Sequence, residues 1–208
     1  MKVLLINGGP HEHGCTYTAL CAVSEALNNN GIETEILFIG ASPVRGCAAC
    51  GGCAKTERRC VFDDDICNRI IEKAEEADGF VFGSPVHYAS AAGAMTAVLD
   101  RAFYAGSAAF AFKPGAAIVS CRRAGSTAAL DRLNKYFTIN NMPVVSAGYW
   151  NMVHGTTPDE VREDKEGMQV CRTIGNNMAW LISAIESGKK CGVAHPVPEK
   201  KERTNFIR

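Results

Sequence analysis

Five short apolar runs punctuate the chain without the alternation of a half-buried strand: Val3-Leu4-Leu5-Ile6, Glu35-Ile36-Leu37-Phe38-Ile39, Gly79-Phe80-Val81-Phe82, Ala116-Ala117-Ile118-Val119 and Pro143-Val144-Val145. Between them lie segments with a 3.6-residue apolar period: Thr18 to Asn28, Asp65 to Glu76, Met95 to Tyr104, Ser126 to Phe137, and a long one from about Asp159 to Glu186. A continuously apolar strand is covered on both faces, so the sheet is expected to be parallel between two layers of helices. Five strands alternating with five helices predict a doubly wound α/β fold with helices on both faces and strand order 2-1-3-4-5. In that order the connections reverse direction between the first and third strands, which opens a ligand crevice at their carboxyl ends. The loops Gly8 to Thr16, Ser84 to Ser90 and Ser120 to Ser126 would line it. All three are rich in Gly, Ser and Thr and poor in acids.

With 208 residues and a prior of about 150 per domain, one domain with an elaboration is expected. We read residues 1–187 as that domain, with a cysteine-rich insertion at 40–63 and a polar tail at 188–208. Lys plus Arg and Asp plus Glu number 22 each, so the whole molecule has no net field to gather polyanions, and nucleic acid is not expected as partner. Only four apolar residues follow Met1-Lys2, too few for a signal-peptide core. The uncharged stretch Gly79 to Leu99 contains Ser84-Pro85, His87 and Gly93, poor company in hydrocarbon. A cytoplasmic protein with no membrane partner is the expectation, and its ten cysteines are then thiols or ligands rather than disulfides.

The first loop, Gly8-Gly9-Pro10-His11-Glu12-His13-Gly14-Cys15-Thr16, follows a strand and opens a helix, where free amides and the helix dipole favour an anion. It approaches a P-loop, with Gly9 and Gly14 in place, but Cys15 stands where a lysine would hold the outer phosphates. The hydroxyls of Thr16 and Thr18 suit a terminal monophosphate. A glycine-rich turn that merely starts a helix is the alternative. His11 reads as a neighbour of that phosphate and His13 as solvent-exposed.

The four cysteines Cys47, Cys50, Cys53 and Cys60 crowd a flexible stretch that also holds Gly46, Gly51 and Gly52. Structural zinc usually takes two separated Cys-x2-Cys pairs, and Val61 after Cys60 breaks the bacterial ferredoxin pattern. A [4Fe-4S] cluster, free or redox-active thiols, and zinc all stay open. Cys15, Cys67, Cys171 and Cys191 read as packing residues.

Together, the first loop, Gly83-Ser84-Pro85-Val86-His87-Tyr88, Leu99-Asp100-Arg101 and Ser120-Cys121-Arg122-Arg123-Ala124-Gly125 resemble the NADPH-dependent FMN reductase family of flavodoxin-like flavoproteins, over residues 1 to about 150. Tyr149-Trp150-Asn151-Met152-Val153-His154-Gly155 and the ending Thr204-Asn205-Phe206-Ile207-Arg208 extend the likeness, and the cysteine spacing resembles the compact motif of iron-sulfur flavoproteins. The resemblance implies FMN, with its phosphate at Gly9, His11, Gly14, Cys15, Thr16 and Thr18. It implies an isoalloxazine resting on Ser84, Pro85, Val86, His87 and Tyr88, with Cys121, Arg122, Arg123 and Gly125 at its pyrimidine end. It also implies NAD(P)H as co-substrate and Cys47, Cys50, Cys53 and Cys60 as cluster ligands. The family usually has Ser, Arg or Lys, and Asn where this chain has Gly9, His11 and Cys15, so phosphate affinity is expected to be lower.

Hydride transfer to a flavin needs no protein acid or base, so no catalytic side chain is expected; the protein orients, and donors such as the Arg122, Arg123 and Gly125 amides tune the potential, with a solvated surface pair as the alternative for Arg122 and Arg123. Tyr88 either stacks on flavin or packs in the core, and Arg101 is expected to pair with its own sheet or a partner subunit. The function expected is an FMN-dependent NAD(P)H oxidoreductase passing electrons to a small-molecule or iron-sulfur acceptor. The alternatives are a flavodoxin-type carrier or an iron-sulfur flavoprotein without nicotinamide activity, and, more remotely, a structural or regulatory metal protein. Neutral charge argues against a flavodoxin, which is generally acidic. A homodimer or higher homo-oligomer is expected, with Tyr149-Trp150 or the Gly40 to Asp63 segment of a neighbour covering the flavin; Trp150 packing inside its own subunit is the alternative.

Overall fold

A computed structural model describes residues 1–200 together with Glu202, Thr204 and Phe206. In chain order the elements are β1 (Lys2–Asn7), α1 (Cys15–Asn29), β2 (Glu33–Phe38), α2 (Cys67–Glu76), β3 (Gly79–His87), β4 (Ser90–Ala91) and α3 (Gly93–Phe110). Then come β5 (Gly115–Cys121), α4 (Ser126–Ile139), β6 (Met152–His154), α5 (Pro158–Glu163) and α6 (Lys165–Lys190). The strands β2-β1-β3-β5-β6 pair in that order and all in parallel, with Leu4 opposite both Glu35 and Phe80. This is the expected doubly wound sheet.

Each continuous apolar run serves two cores at once. Leu4, Ile6, Phe80, Phe82, Ala117 and Val119 face α2, α3 and α4, whereas Val3, Leu5, Val81, Ala116 and Ile118 face α1 and α6. Because side chains alternate across a strand, both parities must be apolar, which is why no alternation is visible. Phe82 stacks on Phe137 with ring centroids 4.9 Å apart. On the other face α1 lies directly on β3 at Gly83, where an added Cβ would come within 2.8 Å of Leu20 Cδ1 and 2.9 Å of Thr16 Cγ2. That close approach brings the first turn of α1 to the mouth of the sheet.

Three local expectations are corrected. The apolar run at 143–145 contributes only a bridge between Gly115 and Val144, since Pro143 has no amide to donate; the edge strand forms instead at Met152–His154, where Ser120 pairs with Val153. A two-residue strand, β4, is added as a hairpin on the end of β3, pairing Val86 with Ala91. The expected long helix is two helices, because the Asp164 side chain accepts from the Gly167 amide at 2.9 Å and the His154 amide at 2.7 Å. Asp164 therefore starts α6 and ties it to β6. The helix then continues to Lys190, past the expected start of the tail. Of the ending Thr204 to Arg208, Asn205, Ile207 and Arg208 lie outside the described residues.

Candidate functional site

The carboxyl ends of β1, β3 and β5 open onto a crevice of about 210 Å³. Gly9, Pro10, His11, Gly14, Cys15 and Thr16 line it from the first loop, Pro85, Val86 and His87 from β3, and Ser120, Cys121 and Arg122 from β5; Gly155 and Thr156 close it beyond β6. The lining contains no carboxylate. At its floor Thr16 Oγ1 and Ser120 Oγ are 2.9 Å apart, both buried. The Cys15 thiol donates toward the Gly155 carbonyl at 3.9 Å, which ties the first loop to β6.

The start of α1 is electrostatically open. Gly14 occupies the cap position without a side-chain hydrogen bond, and no acid stands in the first turn. The first amides of a helix have no partner within it, so the Cys15, Thr16 and Tyr17 N–H groups are donors at the crevice end of the helix dipole. The glycine amides of the loop are already spent: Gly9 donates to Asn7 Oδ1 at 3.0 Å and Gly14 to the His11 carbonyl at 3.2 Å.

Not every expected residue reaches the crevice. Thr18 returns its hydroxyl to the Gly14 carbonyl at 3.2 Å. Ser84 is buried, accepts from the Ala92 amide at 2.9 Å and donates to the Pro85 carbonyl at 3.0 Å, so it shapes the β3–β4 hairpin. Tyr88 is fully exposed at a left-handed φ of 58°, which removes the core-packing alternative. Arg123 is exposed beside Arg122. Gly125 caps α4, with Val86 Cγ1 2.9 Å from where a Cβ would stand, and so abuts the β3 rim without lining the crevice. His13 is exposed and meets the Tyr17 ring edge-on at 4.8 Å.

Sequence reasoning missed Thr156, whose amide donates to Glu160. The Thr156-Thr157-Pro158 signature of a capped helix start, with Thr157 Oγ1 accepting from the Glu160 amide at 3.2 Å, was the available signal.

A second pocket, of about 160 Å³, gathers all four clustered cysteines, Cys47, Cys50, Cys53 and Cys60, against Phe62, Arg101, Tyr104 and Ala105. Cys53 lies in a 3-10 turn, Gly52–Lys55. A side chain at Gly52 would drive its Cβ into Val61 Cγ1, so the loop folds back tightly on the segment after Cys60. Among the described residues no three His, Cys, Asp or Glu side chains meet closely enough to hold a single metal ion.

Cys60 is the best-anchored of the four. Its amide donates to Asn68 Oδ1 at 2.8 Å, its carbonyl accepts from Asn68 Nδ2 at 2.9 Å, and Arg101 Nε donates to its sulfur at 3.3 Å. Arg101 thus pairs within its own subunit, but with the insertion and the start of α2 rather than with the sheet. Asp65, its own side chain buried, offers the counter-charge there.

Of the cysteines read as packing residues, Cys67 and Cys171 are buried, and burial pushes both thiols up to about 12. Cys15, partly buried against the α1/α6 core, also lines the crevice, and Cys191 is exposed, which corrects the packing reading for Cys191. Burial also raises the Cys15 and Cys121 thiols, so neither is an activated nucleophile.

Residues 1–157 match the profile of the NADPH-dependent FMN reductase family. An iron-sulfur flavoprotein of Methanocaldococcus jannaschii is 28% identical over 199 residues, covering 89% of this chain and 100% of that protein. An iron-sulfur flavoprotein of Methanosarcina thermophila is 28% identical over 193 residues, covering 91% and 99%. Among solved structures, a WrbA-like flavodoxin from Agrobacterium tumefaciens superposes with a TM-score of 0.61 at 15% identity, covering 88% of this chain and 98% of that one. At that identity the likeness speaks to fold alone.

Proposed function

The chain belongs to the NADPH-dependent FMN reductase family, a family of flavin-dependent oxidoreductases, and on that premise we propose that it is an FMN-dependent NAD(P)H oxidoreductase passing electrons through flavin to a small-molecule or iron-sulfur acceptor. The observation that carries this reading is the uncapped start of α1 opening into a carboxylate-free crevice at the reversal point of the sheet. FMN supplies the chemistry when bound, taking electrons in pairs from nicotinamide and releasing them to acceptors.

The protein's part is to hold and orient. The amides of Cys15, Thr16 and Tyr17 and the Thr16–Ser120 hydroxyl pair receive the phosphate, with Gly9, Gly14 and His11 shaping the loop around it. Pro85, Val86 and His87 on the β3 side and Cys121 and Arg122 on the β5 side, all of which line the crevice, would hold the ring. Thr18, Ser84 and Gly125 act one layer behind, fixing the backbone of the three loops. The crevice, at about 210 Å³, falls short of the roughly 300–1,000 Å³ of enclosed small-molecule sites, which leaves the ring to be covered from outside. Tyr149 and Trp150, more than half exposed with ring centroids 5.1 Å apart, would supply that cover in a homodimer or higher homo-oligomer. Among the described residues no helix is long and apolar enough to cross a membrane.

The cysteine pocket supports a [4Fe-4S] cluster held by Cys47, Cys50, Cys53 and Cys60. Its volume of about 160 Å³ is roughly ten times what one water needs. Four thiols lining one pocket are ligands of the kind and number that such a cluster would take. Both relatives named above are called iron-sulfur flavoproteins, and this favours one second reading: electrons exchanged between flavin, cluster and an external redox partner without nicotinamide.

Anaerobic mixing of the flavin-loaded protein with NADH or NADPH separates the two. Bleaching of the flavin band by either nucleotide supports the oxidoreductase. Bleaching by dithionite but by neither nucleotide supports the second reading, and a protein that takes up no FMN contradicts both.

A further inference from the structure

We propose that Arg101 is a positioning residue for the redox centre in the cysteine pocket, its Nε–H bond to Cys60 Sγ holding a fixed positive charge against a ligand sulfur and thereby raising the reduction potential of that centre. This rests on the reading of the four cysteines as ligands of one cluster.

Arg101 lies on α3, far along the chain from the cysteines, and is among the most buried side chains of the protein. An arginine is seldom placed so deep unless its charge is paired and hydrogen-bonded. Here Nη2 donates to the Phe62 carbonyl at 2.9 Å and Nη1 to the Arg45 carbonyl at 3.4 Å, with Asp65 as the ion-pair partner. Those bonds staple both ends of the cysteine loop to α3. Of the five N–H donors those bonds use three, and of the two that are left Nε–H faces sulfur, not oxygen, at 3.3 Å.

A staple alone does not require that last bond. An arginine guanidinium does not lose its proton in proteins, and here it donates to both the Asp65 carboxylate and the Cys60 sulfur, so the charge is permanent. Net charge and hydrogen bonds to the sulfurs are the levers by which a protein sets a cluster's potential. Adding one electron makes the ligand sulfurs more negative while no bond forms or breaks and no proton moves. A neighbouring cation therefore stabilises the reduced form more than the oxidised one.

Asp65 supplies the control, because its carboxylate partly neutralises Arg101 through Nη1, whereas the sulfur is bonded through Nε. Removing the arginine charge and removing the aspartate charge should move the potential in opposite directions. A purely structural staple would alter loading or melting, with no such sign reversal.

The experiment is a mediated, anaerobic potentiometric titration of the reconstituted full chain, with iron and acid-labile sulfide counted first. Arg101→Gln is expected to lower the midpoint by about tenfold in the one-electron equilibrium constant, ~59 mV, and Asp65→Asn to raise it. Arg101→Lys, which keeps the charge and loses the Nε–H bond, is expected to fall between wild type and Arg101→Gln. Loaded variants with the wild-type midpoint would overturn the inference while leaving the cluster reading intact. Should Arg101→Gln not load, the sign of the Asp65→Asn shift decides, and an unchanged or lowered midpoint overturns it. Wild-type protein that binds neither iron nor sulfide would overturn the cluster reading and this inference with it.

Discussion

Thr16 Oγ1 and Ser120 Oγ sit 2.9 Å apart where the first turn of α1 meets the end of β5. Two hydroxyls need only one proton between them, so one O–H remains for an anion in the crevice above. Thr16→Val should weaken FMN binding by about 1–3 kcal/mol, the cost of leaving a charged acceptor one donor short, while Thr16→Ser should keep most of the affinity. Quenching of flavin fluorescence on titration measures both, and equal binding by Thr16→Val would remove the hydroxyl pair from the phosphate site.

Gly83 sets how closely α1 approaches the sheet. An alanine there would press its Cβ to within 2.8 Å of Leu20 and 2.9 Å of Thr16, and overpacking of this kind costs about 1–3 kcal/mol. Gly83→Ala is expected to lower the melting temperature by roughly 2–4 °C per kcal/mol and to weaken FMN, because Thr16 moves with the helix. A thermal melt with a flavin titration tests both effects.

The edge strand β2 carries a charge network. Glu35 accepts from Lys2 at 2.7 Å and from Lys73 at 2.9 Å; burial pushes its carboxyl up, but the two ammonium groups outweigh this and hold it below the usual range. Its contribution to stability is therefore complete above the unfolded-state value of about 4.3 and is lost as pH falls through the lower folded value. Glu35→Gln should cost about 0.5–1 kcal/mol at neutral pH, and the gap to wild type should close below about pH 4. Urea melts at pH 7 and pH 3 compare the two.

Thiol reactivity should sort by burial. In metal-free protein at pH 8, Cys47, Cys50 and Cys191, which are exposed, should alkylate first. Cys67 and Cys171, pushed up to about 12 by burial, should stay unmodified until the chain unfolds. Reconstitution with iron and sulfide should protect Cys47 and Cys50 but not Cys191. Peptide mass mapping reads this directly, and equal labelling of Cys50 and Cys191 after reconstitution would count against the four-cysteine site.

The central architecture was legible because a sheet buried on both faces writes itself as continuous apolar runs, as at Leu4-Leu5-Ile6, and because the crevice of such a sheet has a fixed place. What the sequence could not show is how neighbours spend donors. Thr16 and Thr18 look equivalent in the chain, yet one hydroxyl faces Ser120 and the other turns back on Gly14. Ser84 looks like a ligand contact and is a hairpin brace. Asp164 interrupts an otherwise unbroken helical period because its carboxylate is needed by both Gly167 and His154, a demand set by β6. The contact between Arg101 and Cys60 crosses from α3 to the insertion, and no local pattern announces it.

The most direct test of the whole account is the cofactor content of protein purified without oxygen. Denatured protein should release FMN, identified by chromatography, and should yield about four iron and four sulfide per chain, with the metal lost in Cys47→Ser, Cys50→Ser, Cys53→Ser and Cys60→Ser alike. Release of FAD, or no flavin bound after incubation with FMN, together with no iron after reconstitution, would contradict it.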